Sequence, residues 1–324
     1  MNKVFIVQPI NPKGVDVLKK EVELVHGSKF DVETILKEAV DCEGMLVRTA
    51  ELPGDLIRKL PKLKVIGRHG VGVDTIDVKT CTEQGVLVVN APESNLDSVA
   101  EHTLGMLLAL AKNFVRMDRE TRKGNFEARN KITGTEVKGK TVGIVGTGKI
   151  GTILAKRLKA LEMRILAYDP YVKPAQVEPY GIELLDSLDK VLSQSDFVTV
   201  HVPLVEGTRG LMGAKQFGMM KKSAYFINCS RGPVIDEKAL CDALKNGNLR
   251  GAAVDVFVEE PPAANHPFFE LDNILLSPHN AALTDQATIN MAVMAAEGIL
   301  DHLNGRRPKW IVNPAVLEPG AKRR

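Results

Sequence analysis

The sequence predicts an α/β fold of two doubly wound parallel-sheet domains, one inserted into the other. Three observations carry this reading. Short β-branched runs alternate with stretches whose apolar residues recur at helical spacing, the pattern of parallel strands joined by crossover helices. A long helical stretch beginning at Asn95 interrupts the alternation, and a second alternating series comes after it. The glycine-rich "GIVGTGKIG" (143–151) then sits near the middle of a 324-residue chain, although such a turn ordinarily follows the first strand of its domain.

In the first series, Val4–Val7, Val22–Val25, Gly44–Val47, Val65–Gly67 and Leu87–Val89 read as strands. Helices between them are expected in "GVDVLKKE", "DVETILKEAV" and "GDLIRKL". The stretch "NLDSVAEHTLGMLLALAKNFVRMDRETRK" (95–123) reads as one long helix stopped by Gly124. Its face around Leu104, Leu107, Leu108 and Ala111 is apolar enough for a domain-spanning or subunit-contact helix, and equally for a plain core helix. The second series is Thr141–Val145, Ile165–Tyr168, Phe197–Val200, Ala224–Asn228, Ala252–Val256 and Ile274–Leu276. Six strands with helices between them suit a doubly wound dinucleotide domain. The remainder of the chain includes one helix, "TDQATINMAVMAAEGILDHLNG", and is too small to fold alone. Docking of that piece on the first domain explains the central glycine turn. The expected division is a substrate domain of residues 1–96 and 283–324, with a nucleotide domain of residues 97–282 inserted in it.

Composition narrows the function. Apolar residues make up 44% and charged residues 26%, which is ordinary globular usage. A net charge of +3, with Lys322-Arg323-Arg324 as the basic cluster, argues against a broad nucleic-acid-binding face. "LGMLLALA" (104–111) is about half the roughly 20 residues that a bilayer needs, so no membrane association is expected. Cys42, Cys81, Cys229 and Cys241 lack CxxC or metal-type spacing and read as reduced thiols of a cytoplasmic protein, with no metal site.

Gly146-Thr147-Gly148-Lys149-Ile150-Gly151 matches GxGxxG between a strand and a helix. Gly146 permits the tight turn, Gly148 lets a pyrophosphate approach the backbone, and Gly151 lets helix and strand pack closely. The helix N-terminus offers N–H groups and a positive dipole end to phosphates. Asp169 closes the next strand, "RILAYD", where a carboxylate grips the ribose hydroxyls of NAD. The nucleotide domain is therefore expected to be a Rossmann domain; a flavodoxin-like fold is the expectation for the substrate domain.

Three later stretches carry polar residues just beyond strand ends: Arg231 in "FINCSRGPVIDE", Glu260 in "AAVDVFVEEPP" and His279 in "ILLSPHNAALT". Such positions line the crevice at the carboxyl ends of a parallel sheet. Hydride exchange between a 2-hydroxy acid and NAD needs a base for the hydroxyl proton, a cation for the carboxylate and carbonyl oxygen, and a group that holds the base.

With these motifs in place, the chain resembles the D-isomer-specific 2-hydroxyacid dehydrogenases, especially their phosphoglycerate dehydrogenase branch, over essentially its whole length. The fingerprint, "LSQSDFVTVHVPLVEGT" (192–208), "NCSRGPVIDE", "DVFVEEP" and "SPHNAALT" match in order and spacing. The resemblance implies that Arg231 binds and polarises substrate, His279 is the acid/base and Glu260 pairs with it. It implies cofactor contacts from Val71, Lys149, Ile150, Asp169, Val202, Pro203, Cys229, Ser230, Arg231, Asp255, His279 and Ala282, beside the glycines. "GRHGVGVDTID" (67–77) resembles the family's substrate loop, with Val71 and Gly72 at the carboxylate. Arg48 and Arg68 match positions that approach a distal phosphate, so 3-phosphoglycerate and 3-phosphohydroxypyruvate are the first substrate guess, with hydroxypyruvate or glyoxylate reduction behind it. "NAPESNLDSVAEHT" resembles the start of a helix that builds the family's homodimer, here expected as a dimer or a dimer of dimers. The chain ends soon after "VNPAVL", so the regulatory domains of longer relatives are expected to be absent. Asn280 stands where the family more often has an apolar residue.

Other histidines compete with His279. His26 and His302 read as solvated, and His102 as a structural hydrogen-bonding residue. His201 borders the cofactor site, and His69 flanks the carboxylate loop; only His279 comes with a Glu and an Arg on matching strand ends. Cys229 has no partner base and reads as a lining thiol. A NAD(H)-sensing binding protein, like certain transcriptional corepressors that resemble this family, is the alternative from another class. Formate dehydrogenase fits Glu260 and the short N-terminus poorly.

Overall fold

Why the first series pairs as it does is seen in the computed structural model, which describes residues 1–318. Strands β1 (Lys3–Ile6), β2 (Glu23–His26), β3 (Gly44–Val47), β4 (Val65–Arg68) and β5 (Leu87–Val89) form an all-parallel sheet in the order β2-β1-β3-β4-β5. Polar residues start its helices: Asn11 caps Pro12–Leu18, Asp31 caps Val32–Glu38 and Asp77 caps Val78–Gln84, each side chain accepting an N–H of the first turn. Because helices cover both faces, β3 is buried along its whole length.

One of those covering helices is Asp285–Leu303, near the far end of the chain. Its Ala295, Ala296 and Ile299 share a core with Val4, Leu46, Val65 and Leu87. Gly14 lies so close to Ala292 that a β-carbon would come within 2.7 Å of its carbonyl oxygen, so the two helices need a glycine there. Asn313 secures the segment after this helix: its Oδ1 accepts from the Val88 N–H at 2.7 Å and its Nδ2 donates to the Val86 carbonyl at 2.9 Å. Met1–Asn95 and the chain from Leu283 onward thus form one unit, and Leu96–Ala282 forms a second.

The second unit holds β6 (Thr141–Val145), β7 (Arg164–Tyr168), β8 (Ile182–Leu184), β9 (Phe197–Val200), β10 (Tyr225–Asn228), β11 (Gly251–Val254) and β12 (Ile274–Leu276). All pairs are parallel, in the order β12-β11-β10-β9-β6-β7-β8. The six expected strands are joined by a seventh, β8. It is three residues long and lies at the sheet edge, where Glu183 is exposed and pairs with Arg164 at 2.7 Å. An edge strand that short shows no readable alternation.

The single helix expected from Asn95 to Lys123 is instead two, Leu96–Lys112 and Phe114–Arg122. Asn113 separates them in a left-handed conformation (φ 55°), which Asn tolerates better than most residues, and its Nδ2 donates to the Thr133 carbonyl at 2.9 Å. Leu107 and Ala111 of the first helix are buried with Val142, Ile144 and Ala253, and Leu104 and Leu108 pack on the same core. Those four residues therefore serve the second unit's own core. The second helix has no buried residue. Among the described residues no helix is long and apolar enough to cross a membrane. The basic cluster Lys322-Arg323-Arg324 lies outside the described residues.

Candidate active site

All seven strands of the second unit point the same way, so the loops after them share one edge of the sheet. At β6 that loop is the glycine fingerprint. Gly146 has φ 94°, and a β-carbon there would lie 2.6 Å from the His201 carbonyl oxygen. A β-carbon on Gly151 would come within 2.4 Å of the Gly146 carbonyl oxygen, so helix Lys149–Ala160 packs against the turn only with glycine at that position. Gly148 differs: it is exposed and has open space where its side chain would be. It is also the N-cap of this helix, with no side chain capping it. A bare helix N-terminus beside open space is what a pyrophosphate requires. Lys149 and Ile150 are the first residues of that helix, one exposed and one half-buried.

Asp169 follows β7. Its Oδ2 accepts from the Thr147 N–H at 2.8 Å and its Oδ1 from the Tyr171 N–H at 3.0 Å. The acid and the glycine turn are thereby joined by a direct hydrogen bond. These residues fit a dinucleotide: phosphates at Gly148 and the helix, and ribose at Asp169.

The next strands continue the edge. Val202 and Pro203 follow β9, the first half-buried against Gly146 and the second exposed. His201 is turned towards Thr199, its Nε2 3.0 Å from Oγ1, and burial pushes its pKa down to about 4. That is a structural role. After β10, the fully buried Asn228 organises the adjoining loop: its Oδ1 accepts from the Ser230 N–H and hydroxyl at 2.9 and 2.8 Å, and its Nδ2 donates to the Arg231 carbonyl at 3.0 Å. Cys229 is buried with its Sγ 3.7 Å from Met106 Sδ, and burial raises the thiol to about 12, which leaves it inert.

Arg231, Glu260 and His279 arise from three adjacent strands, β10, β11 and β12. Gly232 lets two of their loops meet, since a β-carbon there would lie 1.9 Å from the Phe257 carbonyl oxygen. Glu260 Oε1 accepts from the Phe257 N–H at 3.0 Å, and its Oε2 lies 2.6 Å from His279 Nδ1. Burial would raise the Glu260 carboxyl. Its hydrogen bonds to His279 and the Phe257 N–H, with the charges of His279 and Arg231, outweigh that effect and hold it below the usual range. The structure thus brings together all three residues expected to carry the chemistry.

Asp255, expected among the cofactor contacts, has its carboxylate engaged by the loop that carries His279. It is fully buried, its Oδ1 accepting from the Ser277 hydroxyl and the Asn280 N–H, and its Oδ2 from the Ala281 N–H. Asn280 is exposed and contributes its backbone to this arrangement. Ala282, half-buried, ends the loop.

The remaining candidates belong to the first unit. Arg48 follows β3, and its loop is held by Gln8, whose Oε1 accepts from the N–H groups of Arg48, Thr49 and Ala50 at 3.3, 2.8 and 2.9 Å. Arg68 ends β4 and donates through Nη1 to the His69 carbonyl. Val71 and Gly72 come next, with the Val71 carbonyl accepting from Asn90 Nδ2 at 2.7 Å. His69 is buried, and its Nε2 has no hydrogen-bond partner among the described residues. Burial, then the charge of Arg48, pushes its pKa down to about 4. His279, by contrast, has the Glu260 carboxylate 2.6 Å from its Nδ1.

Sequence reasoning missed Gln8, Asn228 and Ser277. Gln8 and Asn228 are polar residues at or just after a strand's carboxyl end, the same signal that marked Arg231 and His279. Among the described residues no group of three or more His, Cys, Asp or Glu side chains is arranged to hold a metal.

Residues 104–281 match the family model for the D-isomer specific 2-hydroxyacid dehydrogenase, NAD binding domain, so NAD is the dinucleotide of this unit. The chain is 41% identical to D-3-phosphoglycerate dehydrogenase of Methanocaldococcus jannaschii, over 97% of this chain and 60% of that protein. It is 39% identical to glyoxylate reductase of Thermofilum pendens, over 98% of this chain and 96% of that protein. D-lactate dehydrogenase from Aquifex aeolicus, solved with NAD and lactic acid, superimposes with a TM-score of 0.87 at 30% identity, covering 96% of this chain and 99% of that one. The chain spans about 60% of the length of the phosphoglycerate dehydrogenases it matches.

Proposed function

The chain belongs to the D-isomer specific 2-hydroxyacid dehydrogenase family, and from that premise we propose that it catalyses reversible hydride transfer between NAD(H) and a 2-hydroxy or 2-oxo acid. The observation that carries this reading is the 2.6 Å contact of His279 with Glu260, on the same sheet edge as the glycine fingerprint. Bound NADH supplies the hydride. In reduction, Arg231 binds the substrate carboxylate and polarises the carbonyl, and His279 delivers a proton to the carbonyl oxygen. In oxidation, His279 withdraws the hydroxyl proton, and the Glu260 carboxylate stabilises the resulting imidazolium.

The proposed substrate is 3-phosphoglycerate, with 3-phosphohydroxypyruvate as its oxo form. Arg48 and Arg68 support it, because two guanidinium groups near one loop suit a second anionic group at the far end of the acid. Likeness to the Thermofilum glyoxylate reductase favours glyoxylate or hydroxypyruvate reduction as the second reading. The test is NADH oxidation with phosphohydroxypyruvate, hydroxypyruvate, 2-oxoglutarate and glyoxylate, comparing the native protein with His279→Ala. Turnover lost in the variant is the expected result. NADH binding without turnover of any oxo acid would instead identify a dinucleotide sensor.

A homodimer and a cytoplasmic location complete the proposal. The segment after Asn113 presents Phe114, Val115 and Phe126, which are 60%, 48% and 64% exposed, as apolar surface for a second copy. Four free, buried cysteines fit a reducing compartment.

A further inference from the structure

His279 is one of three non-glycine residues with positive φ among the described residues, at 51°. A conformation of that kind persists only where its surroundings impose it. Here one residue supplies most of the constraint. The His279 N–H donates to the Asp255 carbonyl at 2.7 Å, and the next two N–H groups, of Asn280 and Ala281, donate to the Asp255 carboxylate, each at 2.9 Å. Three consecutive backbone donors therefore end on a single, fully buried aspartate.

Asp255 is itself held from the side. The Ser277 hydroxyl donates to its Oδ1 at 2.5 Å, and His102 Nε2 lies 3.1 Å from the Ser277 hydroxyl and 3.6 Å from the same carboxylate oxygen. Ser98 lies one turn earlier than His102 on the same helix, Leu96–Lys112, and donates to the Ala281 carbonyl at 2.6 Å. Residues four apart share a helix face. That face thus meets the loop at both ends, at Ser277 and at Ala281.

We propose that His102 is a positioning residue for the acid/base group. Through Ser277 and Asp255, and with Ser98 as a second tie, it fixes the left-handed turn that aims the His279 ring at Glu260. The proposal rests on His279 being the acid/base. It also explains why a buried carboxylate stands where an apolar side chain would fill the space more cheaply: its two oxygens collect the Asn280 and Ala281 N–H groups and the serine hydroxyl, while the backbone carbonyl of the same residue takes the His279 N–H.

The test uses His102→Leu, Ser277→Ala and His102→Gln in the full chain, with two readouts. In steady-state reduction, His102→Leu and Ser277→Ala should each lower kcat about 10-fold to 100-fold and leave NADH affinity within about twofold. The double variant should be little worse than either single one, because both act along one path. His102→Gln keeps a polar group near Ser277 and should recover most of the loss. In hydrogen exchange, amides of residues 279–281 should exchange at least about tenfold faster in His102→Leu and Ser277→Ala, while those of β6 to β10 stay unchanged. Should His102→Leu fail to fold, Ser277→Ala alone decides. Native kcat and native exchange at 279–281 in the folded variants would overturn the brace. A native protein inert towards every oxo acid would sink the functional reading, and the exchange rates would still decide the brace.

Discussion

Glu260 Oε2 and His279 Nδ1 stand 2.6 Å apart although they come from different strands, so the carboxylate engages one ring nitrogen and leaves Nε2 on the opposite side of the imidazole. A general acid held this way delivers its proton from Nε2. Removing the ring should therefore cost far more than removing the partner's charge. His279→Ala is expected to lose about 10²-fold to 10⁴-fold in kcat, the usual range for a general acid/base. Glu260→Gln keeps an acceptor for the Phe257 N–H and should lose about 10-fold to 100-fold. Steady-state rates with the best oxo acid would check this, and equal losses would contradict the division of roles.

Cofactor choice follows from Asp169. A 2′-phosphate beside its carboxylate would meet like charge, worth roughly 4 kcal/mol at about 4 Å and an effective dielectric near 20, and less with Asp169 half-exposed. Asp169→Asn should narrow the preference for NAD over NADP by at least about tenfold, measured as the ratio of kcat/KM values. An unchanged ratio would mean that another group reads the ribose.

His69 predicts how stability responds to acid. Its pKa is about 4 in the folded protein against an ordinary 6.5, so the unfolded chain takes up the proton first as pH falls. The stability due to its neutral burial is whole above about pH 6.5, declines below that, and is gone below about pH 4. At about 1.4 kcal/mol per unit, the effect reaches about 3 kcal/mol. Urea midpoints measured across this interval should fall less steeply for His69→Gln than for the native protein. Parallel slopes would show that other groups govern the acid limb.

Arg48 tests the proposed substrate. Losing a charged hydrogen bond costs about 1.5–3 kcal/mol, so Arg48→Ala should lower kcat/KM for phosphohydroxypyruvate about 10-fold to 100-fold. Glyoxylate has no distal group and should be barely affected. Equal losses on both substrates, or none on either, would detach Arg48 from the far end of the substrate.

Much of this site was legible because parallel sheets gather chemistry at one edge. A polar residue just after a β-branched run, such as Arg231 or His279, announces itself by position. Direction is less legible. Asp255 stands in the same kind of place as Arg231, yet its side chain turns down into the loop, a choice made by the N–H groups of Asn280 and Ala281 that only the folded turn presents. The break at Asn113 left no mark either, since the charges of "FVRMDRETR" continue a helical pattern and only the Thr133 carbonyl rewards the left-handed residue. Strand β8 was hidden by brevity, its three residues gaining their meaning from pairing with β7.

The helix Asp285–Leu303 that covers the first sheet also sets an order of events during synthesis. Val4, Leu46 and Val65 are made early, but Ala295, Ala296 and Ile299, which bury them, leave the ribosome only after all of Leu96–Ala282. The inserted unit has every one of its strands in hand while the surrounding one still shows a bare apolar face. Translation thus finishes the later-numbered unit first. The amino-terminal segment must wait, exposed and in need of shelter, for a helix encoded more than two hundred codons downstream of its first strand.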